Sequence, residues 1–385
     1  EFEDTDGNSR FETVDWGAYS VNLTQNANHD RDRDGHGTHC AGIAVGKTYG
    51  FAKNSKVLHQ KIAGLEGSTD SGTGISPTYA FDTIKGWHNA KSIDPSTGYK
   101  RPTVVNMSWG YLSTFTEAQI TNINYRGTNY NGTQIDSTSE RENNFGLMYS
   151  LFNSTPTYAS NNRIVSVDTD IEEMLEAGIH ICVAAGNRSN KIDEVGGTDY
   201  NNNYTASGTR YYHRGSSPYG DAGQDGSPRA IVVGNMDSSV ASSTNDRKAN
   251  SSETGPGVDI YAAGTNIMSS TSTTNRWGAG SNNYPLNTNF KQTNISGTSM
   301  ASPQVAGVLA CILEIHPEFT PDQAKQWLLD NAGSSILNTG TNNDWTNDRS
   351  LKGGTVKVLH MPFSNPIPIK VTGLTANFNL SIKER

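Results

Sequence analysis

Short runs of apolar residues alternate along this chain with segments whose apolar residues recur every three or four positions. Val57-Leu58-His59-Gln60-Lys61-Ile62 reads as a strand, Tyr79 to Ala90 as a helix, and Val104-Val105-Asn106-Met107 as a further strand. Thr169 with Glu172 forms a capping box. The helix it opens carries Ile171, Met174 and Leu175 on one face and stops at Gly178. Ile179 to Ala184 follows as an apolar strand of the kind buried on both faces. Ala230 to Val233 and Val258 to Tyr261 are two more, and Thr320-Pro321-Asp322-Gln323 has the cap and first-turn proline of a helix start. Strands alternating with helices predict an α/β fold, a doubly wound, mostly parallel sheet flanked by helices.

Two polar stretches interrupt this rhythm. Residues 111–166 hold Asn-Tyr and Asn-Gly turns, and residues 188–228 are rich in Gly, Asn, Tyr and Asp. Both are expected to be long surface insertions without cores of their own. Residues 1–350 form the main domain in this reading. From 351 to 385 short apolar alternations with Pro366 and Pro368 predict a β-like C-terminal extension. Its Val356, Val358, Ile367, Ile369 and Val371 suit docking or sheet completion.

The chain has 385 residues, 34% apolar and 18% charged. That length supports a substantial core without disulfide or metal staples. Asn, Ser, Thr and Gly fill the remainder, a loop-rich composition common in extracellular and virion proteins. A net charge of −8 without a block of Lys or Arg argues against a nucleic-acid groove or an anionic membrane surface. The longest apolar run, Ile179 to Ala185, is too short to span a bilayer. Cys40, Cys182 and Cys311 sit among apolar or small residues and read as buried thiols. The chain starts at Glu1 without an initiator Met, so it is expected to be processed or part of a longer polypeptide.

Three segments carry chemistry. Asp34-Gly35-His36-Gly37-Thr38-His39-Cys40-Ala41-Gly42 leads into a small-residue helix. Ala184-Ala185-Gly186-Asn187 follows a buried strand. Ser296-Gly297-Thr298-Ser299-Met300-Ala301-Ser302-Pro303 opens an apolar helix. A serine is a weak nucleophile until a base takes its proton, and histidine is the natural base at neutral pH. A serine at a helix N-terminus has free N–H groups beside it, and an Asn at a strand end can donate to a developing oxyanion. Singly, His36 is an ordinary surface histidine, Asn187 a turn residue and Ser299 a helix cap. Together, at strand–helix junctions, they point to acyl transfer.

These segments resemble the subtilases, the subtilisin-like serine peptidases, and especially their proteinase K branch. His36 to Gly42 matches the histidine motif of that branch, Cys40 included, and Gly297 to Gly307 its serine motif. Gly50 to Ile62, Val105-Asn106-Met107-Ser108-Trp109-Gly110 and Val258 to Gly264 resemble further family strands, and the likeness covers most of residues 1–335. The resemblance implies a serine endopeptidase acting on polypeptides. His36 would be general base and acid, and Ser299 the nucleophile. Asn187 and the Ser299 N–H would bind the oxyanion. Ser108, Trp109, Gly110, Ala184, Ala185 and Gly186 would flank the pocket before the scissile bond, and the stretch around Gly72 would pair with extended substrate. Trp109 stands where the family often has a smaller residue. No cofactor is required; family members often bind structural calcium, with no ligand assignable here. Asp30-Arg31-Asp32-Arg33-Asp34-Gly35 mimics the start of a calcium loop, but Ala41 replaces its closing Glu, so a solvated loop is expected.

The triad acid departs from the pattern. In the family it ends an apolar central strand, upstream of a segment that Glu1-Phe2-Glu3 resembles. Asp4-Thr5-Asp6-Gly7 has the right letters without a preceding strand. The acid is therefore expected upstream of residue 1, in a companion N-terminal fragment, in preference to Asp4. The alternative function is a structural component of a virion or extracellular assembly, built on the same scaffold with little or no activity.

Overall fold

The computed structural model describes residues 1–361 except 20, 22, 23, 26, 63–73, 132–137, 153, 154, 220–228, 238–245 and 286. In chain order its helices are α1 (His36–Val45), α2 (Pro77–Ala90), α3 (Thr138–Phe145), α4 (Val165–Glu176), α5 (Thr298–Ile315) and α6 (Pro321–Asp330). The strands are β1 (Val104–Met107), β2 (Leu112–Phe115), β3 (Ile120–Tyr125), β4 (Thr128–Tyr130), β5 (Tyr149–Phe152), β6 (Thr155–Asn161), β7 (His180–Ala184), β8 (Asn203–Ala206), β9 (Thr209–Tyr212), β10 (Ile231–Asp237), β11 (Arg247–Lys248), β12 (Ile260–Ala263), β13 (Ile267–Thr271), β14 (Asn282–Tyr284) and β15 (Asn287–Ile295).

The central sheet runs β1–β7–β10–β12, every neighbour parallel, with β11 antiparallel against the end of β10. Side chains alternate across it. Ile181 and Val183 join Phe81 and Ile84 of α2 and Ile171, Met174 and Leu175 of α4. Cys182 joins Val305, Leu309 and Ile312 of α5 and Ala324 and Leu328 of α6 on the opposite face. Both faces are covered, which is why β7 is apolar throughout its middle. By length and composition α5 would suit a membrane span, but 67% of it is buried inside the protein, as befits a core helix.

Helix α6 begins as the sequence predicts: Thr320 accepts from the Gln323 N–H and Gln323 returns a bond to the Thr320 N–H. Helix α4 begins one turn earlier than its apparent capping box. Thr169 lies inside it and donates to the Val165 carbonyl, 3.0 Å away, the back-bonding open to a threonine within a helix.

Val57–Ile62 corrects the sequence reading. Among the described residues only Val57 makes a bridge, to Phe11, and the segment joins no sheet. Among the described residues β1 pairs only with β7, and Val104, Val105 and Asn106 are half-buried. A strand needs a ladder partner on its hydrogen-bonding edge; among the described residues neither Val57–Ile62, beyond its bridge to Phe11, nor the outer edge of β1 forms a ladder.

The two insertions also differ from expectation, because they fold on one another. The sheet β2–β6–β5 is built within the first, and in the sheet β4–β3–β8–β9 the strand β3 of the first pairs with β8 of the second. Phe115, Ile120, Ile123, Phe145, Leu147, Tyr158 and Tyr204 form a shared apolar cluster. Neither insertion has enough apolar residues alone, which is why each looks like a loop in sequence.

Asp199 of the second insertion ties it to the first, accepting from Arg126 Nε (2.8 Å), and bonds Lys191 Nζ (2.8 Å) within its own segment. Burial raises its carboxyl, but the bonds from Arg126 and Lys191 outweigh it and hold the pKa at about 2. A carboxyl lowered from 3.8 to about 2 stabilises the fold by about 2 kcal/mol above pH 4, and this is lost as pH falls from about 4 to about 2. Asp199→Asn is expected to lower the melting temperature at pH 7 and to flatten its fall across that acid range, read by calorimetry.

Residues 351–361 share the main core. Leu351 and Val358 are buried in it, and Tyr261 of β12 bonds the Lys357 carbonyl (2.9 Å) and the Leu359 N–H (2.7 Å). Pro366, Pro368, Ile367, Ile369 and Val371 lie outside the described residues.

Candidate active site

Helix α1 is entered through Gly35, whose φ of +88° and neighbour Thr271 Oγ1, 2.3 Å from where a Cβ would stand, leave room only for glycine. Asp32 caps this helix, accepting from Gly35 N (2.7 Å), Thr38 N (2.8 Å) and Thr38 Oγ1 (2.6 Å). Asp30 pairs with His59 (2.9 Å), and Asp34 accepts from His36 N (3.2 Å). The carboxylates that resemble a calcium loop are thus engaged within the protein and do not fit a calcium site. No cluster of three or more His, Cys, Asp or Glu is placed to hold a metal among the described residues.

His36 is the first residue of α1 and half-buried. Burial first, and Arg276 second, push its imidazole below the ordinary value, with Asp34 and Asp32 opposing. The ring is therefore neutral at pH 7, as a general base must be. His39 is different: fully buried, its Nε2 lies 3.0 Å from the Thr293 carbonyl, and burial lowers its pKa to about 4. Its place is structural.

Ser299 is the second residue of α5, after Gly297 at φ +153°. Four residues on, Pro303 has no N–H, so the Ser299 carbonyl receives no helical hydrogen bond. It accepts instead from Ser108 Oγ (2.9 Å) and Cys40 Sγ (3.3 Å). Cys40 Sγ also lies 3.9 Å from His36 Nδ1, so α1 and α5 bring His36 and Ser299 to opposite sides of one thiol. Burial pushes that thiol up to about 12, which keeps it a donor and not a rival nucleophile. Ser299 Oγ donates to the Ser108 carbonyl at 3.3 Å. No hydrogen bond joins Ser299 to His36 among the described residues; such bonds are often long in free enzymes and tighten with substrate.

Asn187 stands beside this helix start. Its Oδ1 accepts from Thr298 N (2.9 Å) and Thr298 Oγ1 (3.2 Å), which fixes the amide and leaves Nδ2 as the outward donor. The Ser299 N–H has no acceptor among the described residues, as expected in the first turn of a helix. Two donors are thus available next to the serine, the arrangement that binds an oxyanion.

The residues that the resemblance assigns to the pocket lie at the ends of β1 and β7. Ser108 leaves the end of β1 and bonds Ser299 as above. Trp109 stacks on Phe81 of α2 with centroids 6.3 Å apart and meets Tyr111 edge-on at 5.8 Å. A Cβ on Gly110 would lie 2.2 Å from Ser216 Oγ, so the chain passes hard against the second insertion. Ala184 ends β7, Ala185 N donates to Val233 O (2.9 Å), and Gly186 N donates to Thr298 Oγ1 (3.1 Å). A groove of about 390 Å³ lined by Asn187, Asn235, Asn250 and Ser296 adjoins the Asn187 side. Gly72 lies outside the described residues.

The sequence model described as the Subtilase family matches residues 8–355. The chain belongs to the subtilase family. It is 29% identical over 75% of its length to a subtilisin-like protease of Coccidioides posadasii, covering 39% of that protein. It is 27% identical over 80% of its length to cerevisin of Saccharomyces cerevisiae, covering 34% of it. The cuticle-degrading serine protease of Arthrobotrys oligospora is 26% identical over 80% of this chain and 47% of its own length. The chain therefore spans less than half the length of these relatives.

In this subtilase the side chains missed by the sequence reading are the supports. Thr298 orients Asn187, and Asn106 bonds both Ser108 Oγ (3.0 Å) and Ser302 Oγ (2.8 Å), tying β1 to α5. The signal was Pro303, four residues after the serine, which requires outside donors for a freed carbonyl. The acid is a different matter. Among the described residues no carboxylate bonds the His36 ring, whose Nδ1 faces Cys40. Asp4 accepts from Asp6 N (3.0 Å) and Asn8 N (2.8 Å) in its own exposed turn.

Proposed function

We propose that this chain is the peptidase domain of a serine endopeptidase that cleaves polypeptides through an acyl-enzyme. Ser299 Oγ attacks the scissile carbonyl while His36 takes its proton, and His36 then returns a proton to the leaving amine. Water repeats the sequence on the ester and releases Ser299. The developing oxyanion receives hydrogen bonds from Asn187 Nδ2 and the Ser299 N–H. No cofactor enters these steps. Family membership and the two free donors beside Ser299 support the reading, and the fixed Asn187 amide is the observation that carries it. A purely structural role in an extracellular or virion assembly would need neither donor. The loop-rich composition supports action outside the cell.

The triad acid, in this proposal, comes on an apolar strand that adds to the open edge of β1 and presents its carboxylate to His36 Nδ1. That strand belongs to an upstream or companion segment. The half-buried β1, which pairs only with β7 among the described residues, supports it.

Asn187→Ala tests the oxyanion assignment. Removing one such donor from a subtilisin-type site lowers kcat by roughly a hundredfold to a thousandfold, with KM little changed. Steady-state kinetics on a peptide ester showing an unchanged kcat would reduce Asn187 to a turn residue.

A further inference from the structure

The turn that presents Asn187 is held from behind by buried titratable groups that the peptidase chemistry does not use. Glu253 is fully buried, and its N–H donates to the Gly186 carbonyl at 3.0 Å. Gly186 has φ +119°, and a Cβ there would fall 2.6 Å from Glu253 Cγ, so the glutamate stem lies directly beneath it. Glu253 Oε1 accepts from Asn190 Nδ2 (3.4 Å), while Oε2 has no hydrogen-bond partner among the described residues. From the other side the buried Lys352 donates Nζ to the Ser189 carbonyl at 2.5 Å. Ser189 has φ +61°, a left-handed conformation unfavourable for a residue with a Cβ, so this turn must be held by its surroundings.

Gly186, Ser189 and Asn190 are therefore each gripped by Glu253 or Lys352, and Asn187 sits among them. No ion pair within 4.0 Å joins the two among the described residues, so their burial is not offset by direct contact. We propose that Glu253 and Lys352 are positioning residues for the oxyanion site, fixing the Gly186–Asn190 turn so that Asn187 Nδ2 meets the transition state. This rests on the peptidase reading above.

Lys352→Met and Glu253→Met, which remove the Ser189 and Asn190 bonds while keeping the side-chain stems, test it in the full-length protein through a double-mutant cycle with Asn187→Ala. Each is expected to lower kcat about tenfold with KM within about twofold, and to change kcat by less than about twofold once Asn187 is already Ala. A merely structural role would give the same loss in both backgrounds, and that result, or no loss at all, overturns the proposal. Hydrogen exchange of the peptide covering 184–192 gives a readout independent of turnover. Lys352→Met should raise its exchange while α5 keeps its protection, and unchanged exchange also overturns the proposal, even if the wild type proves inactive. If Lys352→Met does not fold, Glu253→Met carries both measurements.

Discussion

Replacing Ser299 with Ala is expected to lower kcat about a millionfold while KM changes little, the size of effect seen when the nucleophile is removed from a subtilisin-type triad. The reason lies in what remains. Asn187 Nδ2 and the Ser299 N–H survive the substitution, so a substrate carbonyl is still bound and polarised. What disappears is the covalent intermediate, and His36 is left with only water to activate. The residual rate should still exceed the uncatalysed one by roughly a thousandfold or more, since the donors and binding remain. A loss of tenfold or less would place the nucleophile elsewhere.

The second large effect concerns the acid. Residues 1–385 alone are expected to turn over about ten-thousandfold more slowly than protein that contains the upstream strand, because His36 Nδ1 then has no carboxylate to fix its tautomer. The chain alone should also aggregate readily, since among the described residues the outer edge of β1 has no strand paired to it. Adding a peptide with the apolar strand and its Asp-Ser/Thr-Gly turn should restore both turnover and solubility. Asp4→Asn should change nothing, because Asp4 serves its own turn. Full activity of 1–385 that is abolished by Asp4→Asn would reject the added strand.

Much of this was readable from the residues themselves. The strands at Val104–Met107 and His180–Ala184 are apolar because helices cover both faces, and that pattern survives without knowledge of partners. His36, Asn187 and Ser299 stood out as candidates because each lies next to or near a glycine at an element end, His36 opening α1, Asn187 following β7 and Ser299 in the first turn of α5. What was hidden depends on contacts between distant segments. The pairing of β3 with β8 joins residues separated by more than a helix and a central strand, and no local pattern announces it. The start of α4 at Val165 lacks a side-chain cap, so Thr169 drew the boundary one turn late. The roles of Glu253 and Lys352 were invisible for the same reason. Their neighbours, Gly186 and Ser189, are near neither of them in sequence.

The central claim is that Ser299, activated by His36, is the group that attacks a carbonyl. A fluorophosphonate probe tests it most directly, applied to the full-length protein and located by mass spectrometry of its peptides. The account predicts a single adduct on Ser299, lost in His36→Ala. An adduct elsewhere with Ser299 unmodified, or labelling of Ser299 that does not depend on His36, would contradict it.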